Sequence, residues 1–159
     1  MKARKTLELI KNNQGTNTLN SYEWSDGFNR FVLRETKSKN ITLITNNKVL
    51  GNSDLFYIGI SYDNCYFIIV NDVTVGIIYV SEISDAEKNS LYIEWIELLT
   101  PFRGKGILRQ VFKGLVECYN VSTIRLESQE KYFRKYLSVG CELMGMDENT
   151  GLGIFEYRK

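Results

Sequence analysis

Histidine is absent from this 159-residue chain, proline occurs once and cysteine three times. Without histidine there is no Ser-His-Asp or Cys-His nucleophile, and the commonest nitrogen ligand for transition metals is missing. Cys65, Cys118 and Cys141 are scattered, odd in number and without CxxC spacing, which predicts a reduced, intracellular protein with no zinc site. Cys118 and Cys141 read as small apolar core residues, since nothing is present to activate a thiol. No apolar run is long enough to span a bilayer, and the opening "MKARKTLELIKNNQ" lacks the apolar region of a signal peptide, so the expected location is cytoplasmic. A formal net charge of +1 supplies no long-range pull toward nucleic acid or a membrane surface.

What is present suits one soluble domain: 43% of the residues are hydrophobic, enough for a substantial core. The charge is unevenly spread. Residues 51–100 carry Lys88 alone against Asp54, Asp63, Asp72, Glu82, Asp85, Glu87, Glu94 and Glu97, while the flanking segments are net basic. That split suits a cationic substrate beside an anionic cofactor, and equally suits solvated loops and strand edges.

Periodicity organises the chain. Residues 3–12 predict a short helix, and "NNQGTNTLNSYEWSDG" predicts an irregular, turn-rich stretch. "FNRFVLRE" reads as a strand, whereas "KSKNITLITNNKVLG" fits a helix or a strand. "LFYIGIS", "CYFIIV", "TVGIIYVSEI" and "LYIEWIELL" are β-branched and aromatic runs, the second and third joined by an "NDV" turn, and they predict an antiparallel meander. Leu108, Val111, Phe112, Leu115, Val116 and Tyr119 then form the stripe of an amphipathic helix. "STIRLES" is a compact strand, Tyr132, Phe133, Tyr136 and Leu137 mark a second helix that Gly140 can end, and "CELMGM" with "GIFEYRK" makes a final hairpin. The fold class is α/β with a mixed sheet.

The junction "LLTPFRGKGILRQVF" carries the chemistry. A strand that passes through a glycine-bearing loop into a helix leaves amide N–H groups unpaired at the positive end of the helix dipole. Gly104 and Gly106 allow close backbone approach, and Arg103, Lys105 and Arg109 supply charge, so the guest that fits is a phosphate group. The pattern is neither a Walker loop nor a dinucleotide fingerprint. A basic turn that is merely solvated has the same composition.

This junction resembles the acetyl-CoA pyrophosphate loop of the GNAT superfamily of N-acyltransferases, whose pattern is Arg/Gln-x-x-Gly-x-Gly/Ala between the fourth strand and the third helix. Arg103 and Gly106 match, Pro101, Gly104, Lys105 and Ile107 are typical neighbours, and Leu108 departs from the final small residue. "YLSVGC" similarly resembles the family's "YEKLGF" element, with Cys141 in place of phenylalanine. The resemblance covers residues 66–159 and is weak before them. It implies a single GNAT-like domain over 1–159, with residues 1–55 on the substrate side and 56–159 forming the cofactor-binding core. It implies a meander sheet with a splayed parallel pair, strands 4 and 5, flanked by helices. It further implies direct transfer of an acetyl group from acetyl-CoA to a primary amine, small-molecule or protein, with no metal. Leu98 and Leu99 would pair with pantetheine; Arg103, Gly104, Lys105, Gly106, Ile107, Leu108 and Arg109 would hold the diphosphate. Tyr136 stands where the family's leaving-thiolate acid stands, on an apolar stripe that also suits a core aromatic. Glu97, Glu94 and Glu127 are the candidate bases, in that order, and each is also readable as a surface or substrate-orienting group.

Two other classes share these features. A non-catalytic acyl-CoA sensor would keep the loop and dispense with Tyr136 and the glutamates. An interaction domain would use Tyr22, Trp24 and Phe28 as exposed contact residues and would not bind acetyl-CoA. Neither nucleic acid nor membrane is an expected partner, and a homodimer is an open assembly.

Overall fold

A computed structural model describes residues 3–12, 15–35, 64–85 and 88–159. Its strands are β1 (Arg4–Asn12), β2 (Gly15–Ser25), β3 (Arg30–Glu35), β4 (Cys65–Val70), β5 (Val73–Asp85), β6 (Lys88–Leu98), β7 (Thr123–Ser128), β8 (Glu142–Met146) and β9 (Gly153–Arg158). The helices are α1 (Ile107–Cys118) and α2 (Phe133–Val139). Hydrogen bonding links the strands in the order β1-β2-β3-β4-β5-β6-β7-β9-β8. The chain forms two compact units, Met1–Tyr79 with Trp95–Lys105 and Val80–Glu94 with Gly106–Lys159.

In the first unit, β1 to β4 and the start of β5 are an antiparallel meander. Residues 3–12 are therefore a strand, not the expected short helix, and the stretch expected to be irregular is β2. Nine consecutive β1–β2 pairs, from Arg4 opposite Glu23 to Asn12 opposite Gly15, override weak local preferences that Asn and Gly would otherwise direct into turns. The "LFYIGIS" run and the ambiguous "KSKNITLITNNKVLG" lie outside the described residues. One face of the meander buries Tyr22, Trp24, Phe31, Leu33, Tyr66 and Ile68, with Trp24 stacked on Phe31 at 5.6 Å. Tyr22 and Trp24 are thus core residues, and of the three aromatics read as exposed only Phe28 is so, at 95%. The expected β4–β5 hairpin is present, turning on Asn71 and Asp72, both with positive φ, as this tight turn demands.

A β-bulge in this hairpin matters to the site. Ile68 faces Gly76 and Ile69 faces Thr74, so Val75 is an extra residue on β5. Its carbonyl accepts a hydrogen bond from the Leu99 N–H at 2.7 Å, fixing the end of β6. Gly76 is required where it stands: a Cβ there would run into the Glu97 carbonyl oxygen and lie 2.9 Å from Leu98 Cδ2.

In the second unit, β7 pairs parallel with β6 through Ser90–Thr123, Leu91–Ile124 and Tyr92–Arg125, and antiparallel with β9. The parallel pair is "LYIEWIELL" with "STIRLES", the runs the resemblance implies as strands 4 and 5; in chain order they are the sixth and seventh described strands, because β1, β2 and β3 precede β4 while "LFYIGIS" lies outside the described residues. The register stops at Tyr92–Arg125, so Ile93–Glu94 and Leu126–Glu127 continue without pairing to each other. Helix α1 buries Val111, Phe112, Leu115 and Val116 of the expected stripe, with Leu108 and Tyr119 half-buried at its ends and Ile107 buried in addition. Phe112 of α1 meets Tyr157, and Phe133 and Tyr136 of α2 meet Phe155, so both helices pack on one face of β9. The opposite face is polar, with Arg125 donating to Glu156 at 3.1 Å and Arg158 donating to it at 2.8 Å. Gly140 ends α2 at φ 108°, as its position after the apolar stripe predicts.

Candidate functional site

The loop between β6 and α1 is built around two left-handed residues. Thr100–Phe102 is a single 3₁₀ turn started by Pro101, after which Arg103 returns to extended backbone. Gly104 and Gly106 take φ of 72° and 76°, a region that costs any residue with a Cβ. A Cβ at either position would meet nothing within 4 Å, so the space above the turn is open to an incoming group. Gly106 is the N-cap of α1, and no side chain caps the helix. The amides of Ile107, Leu108 and Arg109 thus begin a twelve-residue helix at its positive end. Ile107 is buried, Leu108 is half-buried and Arg109 exposed, so the side chain that departs from the family pattern turns partly into the protein.

The three cations have different engagements. Arg103 Nε donates to the Leu98 carbonyl at 2.9 Å, and its Nη2 lies 3.5 Å from Glu97 Oε1. Arg109 Nη2 donates to the Ser138 carbonyl at 2.6 Å. Lys105 is exposed, its ammonium 6.0 Å from the Phe102 ring centroid. At Leu98 and Leu99 the backbone is substantially engaged: the Leu99 N–H goes to Val75, the Leu99 carbonyl accepts from the Phe102 N–H at 2.9 Å, and the Leu98 carbonyl holds Arg103.

The candidate acids and bases separate into distinct settings. Glu97 is 14% exposed in its side chain and is tied to Arg103. It follows Trp95 by two residues on β6, which places both on one strand face. That face continues into a cluster of Cys65, Ile77, Tyr79, Trp95 and Leu99. Glu94 is exposed and accepts a hydrogen bond from Ser81 Oγ at 2.8 Å. Glu94 and Glu127 both act on Tyr92, whose phenol is raised above its ordinary pKa by burial first and then by Glu127 and Glu94. Tyr92 and Ser81 were not singled out by sequence; the signal available was the alternation in "LYIEWIEL", which puts Tyr92 and Glu94 on one face and Trp95 and Glu97 on the other.

Tyr136 is 7% exposed and tilted against Phe155 at 5.6 Å, with the Lys135 ammonium 4.9 Å from its ring centroid. Its phenol is pushed up to about 12, by burial first and then by Cys141 and Tyr132. Glu127 faces Ile154 in the β7–β9 register, on the other face from Phe155, so the structure does not bring Glu127 and Tyr136 to one face of this sheet. The cysteines are free thiols, and burial raises Cys118 and Cys141 to about 12. Among the described residues no group of three or more acidic, cysteine or histidine side chains could hold a metal ion, and no helix is long and apolar enough to cross a membrane.

The left-handed glycine turn, the uncapped helix and the parallel pairing of β6 with β7 belong to an α/β protein with a mixed sheet. The chain has the fold of the GNAT-family acetyltransferases. It is similar to an acetyltransferase of the GNAT family from Streptococcus agalactiae at 16% identity, covering 86% of this chain and 98% of that one with a TM-score of 0.62. It is similar to a GNAT-family acetyltransferase from Listeria monocytogenes at 13% identity, covering 86% and 99% with a TM-score of 0.58. The PaiA N-acetyltransferase from Thermoplasma acidophilum, solved in complex with coenzyme A, matches at 16% identity over 81% and 99% with a TM-score of 0.53. No protein-family model and no curated protein matches the sequence. At these identities the likeness is one of fold.

Proposed function

We propose that the chain is an N-acyltransferase that moves an acetyl group from acetyl-CoA to a primary amine by direct transfer. The observation that carries this reading is the turn at Gly104–Gly106, with two left-handed glycines, open space above them and an uncapped helix behind. Such a turn suits a diphosphate, which the amides of residues 106–109 would hold, with Lys105 adding charge and Arg103 and Arg109 ordering the loop through Leu98 and Ser138. The fold likeness to coenzyme A-binding acetyltransferases supports the same ligand. Because the Leu98 and Leu99 backbone is largely engaged, the pantetheine arm would use the Leu98 N–H and the second lone pairs of the two carbonyls.

Acetyl-CoA supplies an activated acyl group. The chain's own groups would govern the protons: an amine attacks the acyl carbon as a neutral nucleophile, the C–N bond forms and the C–S bond breaks, and the ammonium proton passes to a carboxylate while the departing sulfur takes one from an acid. Glu97 is the first choice as base, since it is the half-buried carboxylate on the strand that enters the loop; Glu94 and Glu127, grouped round Tyr92, fit an acceptor-orienting role better. Tyr136 is the acid. With its phenol near 12 it stays protonated throughout the neutral range and holds its proton more tightly than an ordinary tyrosine. That burial also favours a second reading, in which Tyr136 is a core aromatic and the protein senses acyl-CoA without turnover. Release of free coenzyme A thiol with a panel of small amines and peptides decides between them. Amine-dependent release supports the transferase; binding without release leaves the sensor.

A further inference from the structure

Helix α2 is seven residues long, and the carbonyls of its last turn must find partners outside the helical pattern. Three of them are served locally. Ser138 Oγ donates to the Lys135 carbonyl at 2.7 Å, the Cys141 N–H to the Tyr136 carbonyl at 3.1 Å and the Gly140 N–H to the Leu137 carbonyl at 3.1 Å. The Ser138 carbonyl is reached from another element: Arg109 Nη2, 29 residues away in sequence, donates to it at 2.6 Å. Arg109 stands in the first turn of α1, so a cation from the start of one helix caps the negative end of the other. An aromatic ring backs this contact. Tyr157 meets the Phe112 ring of α1 edge-on at 5.5 Å, and a Cβ on Gly140 would lie 3.7 Å from it. Arg109 also acts on the Tyr157 phenol, which burial and then Cys141 raise and the guanidinium charge opposes.

We infer that Arg109 is a positioning residue that couples the occupied Gly104–Gly106 turn to the placement of Tyr136. The kinetic side of this rests on the transferase reading above. Arg109 follows Gly106 within one helical turn, so whatever orders the turn and the amides behind it orders the root of the Arg109 side chain. Ser138 follows Tyr136 by two residues, so fixing its carbonyl fixes the last turn of α2, which carries the phenol. A helix this short does not hold itself, and a cap supplied by a neighbouring element therefore has a large effect on it. An exposed arginine beside an anion-binding turn has one other use, as a direct ligand of the diphosphate. The donors of a guanidinium form a rigid fork, however, and the one committed to Ser138 holds that fork at the end of α2. Removing a ligand weakens cofactor binding, whereas removing a strut slows turnover.

The test is a double-mutant cycle of Arg109→Ala and Tyr136→Phe, with Arg109→Lys beside it, read as kcat on an acceptor that wild type uses and as acetyl-CoA affinity by titration. Arg109 is exposed, so its truncation should leave the melting profile close to that of wild type. Arg109→Ala should lower kcat by roughly 10-fold, the size expected for one charge-assisted hydrogen bond, while affinity changes by less than about 3-fold. Arg109→Lys keeps a cation and a donor and should recover most of that loss. In the Tyr136→Phe background Arg109→Ala should lower kcat no further, because the group it positions is gone. Hydrogen exchange gives a readout independent of turnover: saturating coenzyme A should slow the Gly140 and Cys141 amides in wild type and leave them unchanged in Arg109→Ala. If coenzyme A binds but no amine is acetylated, the transferase reading fails, and the exchange result alone decides whether Arg109 couples turn to helix. If wild type does not bind coenzyme A, both fail. An affinity loss of ~10-fold or more in Arg109→Ala, the same kcat loss in both backgrounds, or equal protection of the two amides with and without Arg109 overturns this inference alone.

Discussion

Gly76→Ala would add one methyl group at a point where β5 lies against the backbone of β6. The added Cβ would collide with the Glu97 carbonyl oxygen and sit 2.9 Å from Leu98 Cδ2 and 3.1 Å from Leu98 Cα. Two of these three atoms are backbone, so no rotamer change relieves the contact; the strands must separate or the bulge at Val75 must shift. Overpacking of this kind costs about 1–3 kcal/mol. For a chain of 159 residues, each kcal/mol moves Tm by about 2–4 °C, so the variant should melt roughly 2–12 °C lower. The displacement falls on Glu97 and Leu98, which hold Arg103, so acetyl-CoA affinity should fall as well. Calorimetric melting paired with acetyl-CoA titration measures both. A variant within about 1 °C of wild type, with unchanged affinity, would refute the close approach at Gly76.

Three further outcomes follow from the site and its supports. Tyr136→Phe keeps the ring against Phe155, so stability and acetyl-CoA affinity should hold while kcat falls by roughly 10²-fold; an unchanged kcat in steady-state kinetics removes the acid role. Glu156 is held below the ordinary carboxylate value of 4.5 by hydrogen bonds from Arg158 and Arg125, so the folded state releases that proton more readily than the unfolded chain. The stability it contributes is present above 4.5 and drains away as pH falls through the depressed value, and melts of Glu156→Gln should show a flatter acid limb than wild type. Cys118 and Cys141, raised to about 12, should resist alkylation by maleimide at neutral pH, with no covalent acyl-enzyme detected by mass spectrometry after acetyl-CoA is added without an amine.

The legible parts of this chain are those whose local signal and tertiary fate agree. The β-branched run "CYFIIV", the stripe from Leu108 to Val116 and the stop at Gly140 each become the element they suggest, because each buries the face its period marks out. β1 and β2 depart from their local signals: "RKTLELIKN" has the leucine spacing and charge of a short helix, and the Asn, Gly and Thr of β2 carry turn preference, so only the pairing of the two segments with each other makes strands of them. Tyr22 and Trp24 read as exposed for the same reason: a residue in a presumed loop has no face to bury. At the site, Gly104 and Gly106 announced a special backbone, but the bulge at Val75, the fit of Gly76 against Glu97 and the engagement of Arg103 with Leu98 depend on β5–β6 geometry that no local spacing encodes.

The central claim is that the Gly104–Gly106 turn holds the diphosphate of acetyl-CoA, and isothermal titration of acetyl-CoA into wild type and Gly106→Asp tests it most directly. Aspartate tolerates the left-handed backbone better than most residues, and its carboxylate can itself cap the α1 amides, so the variant should stay folded. Its charge would then stand where the diphosphate must sit, lowering affinity by at least ~10-fold. The account predicts binding to wild type and its loss in Gly106→Asp at an unchanged melting profile. Equal binding by both proteins, or none by either, contradicts it.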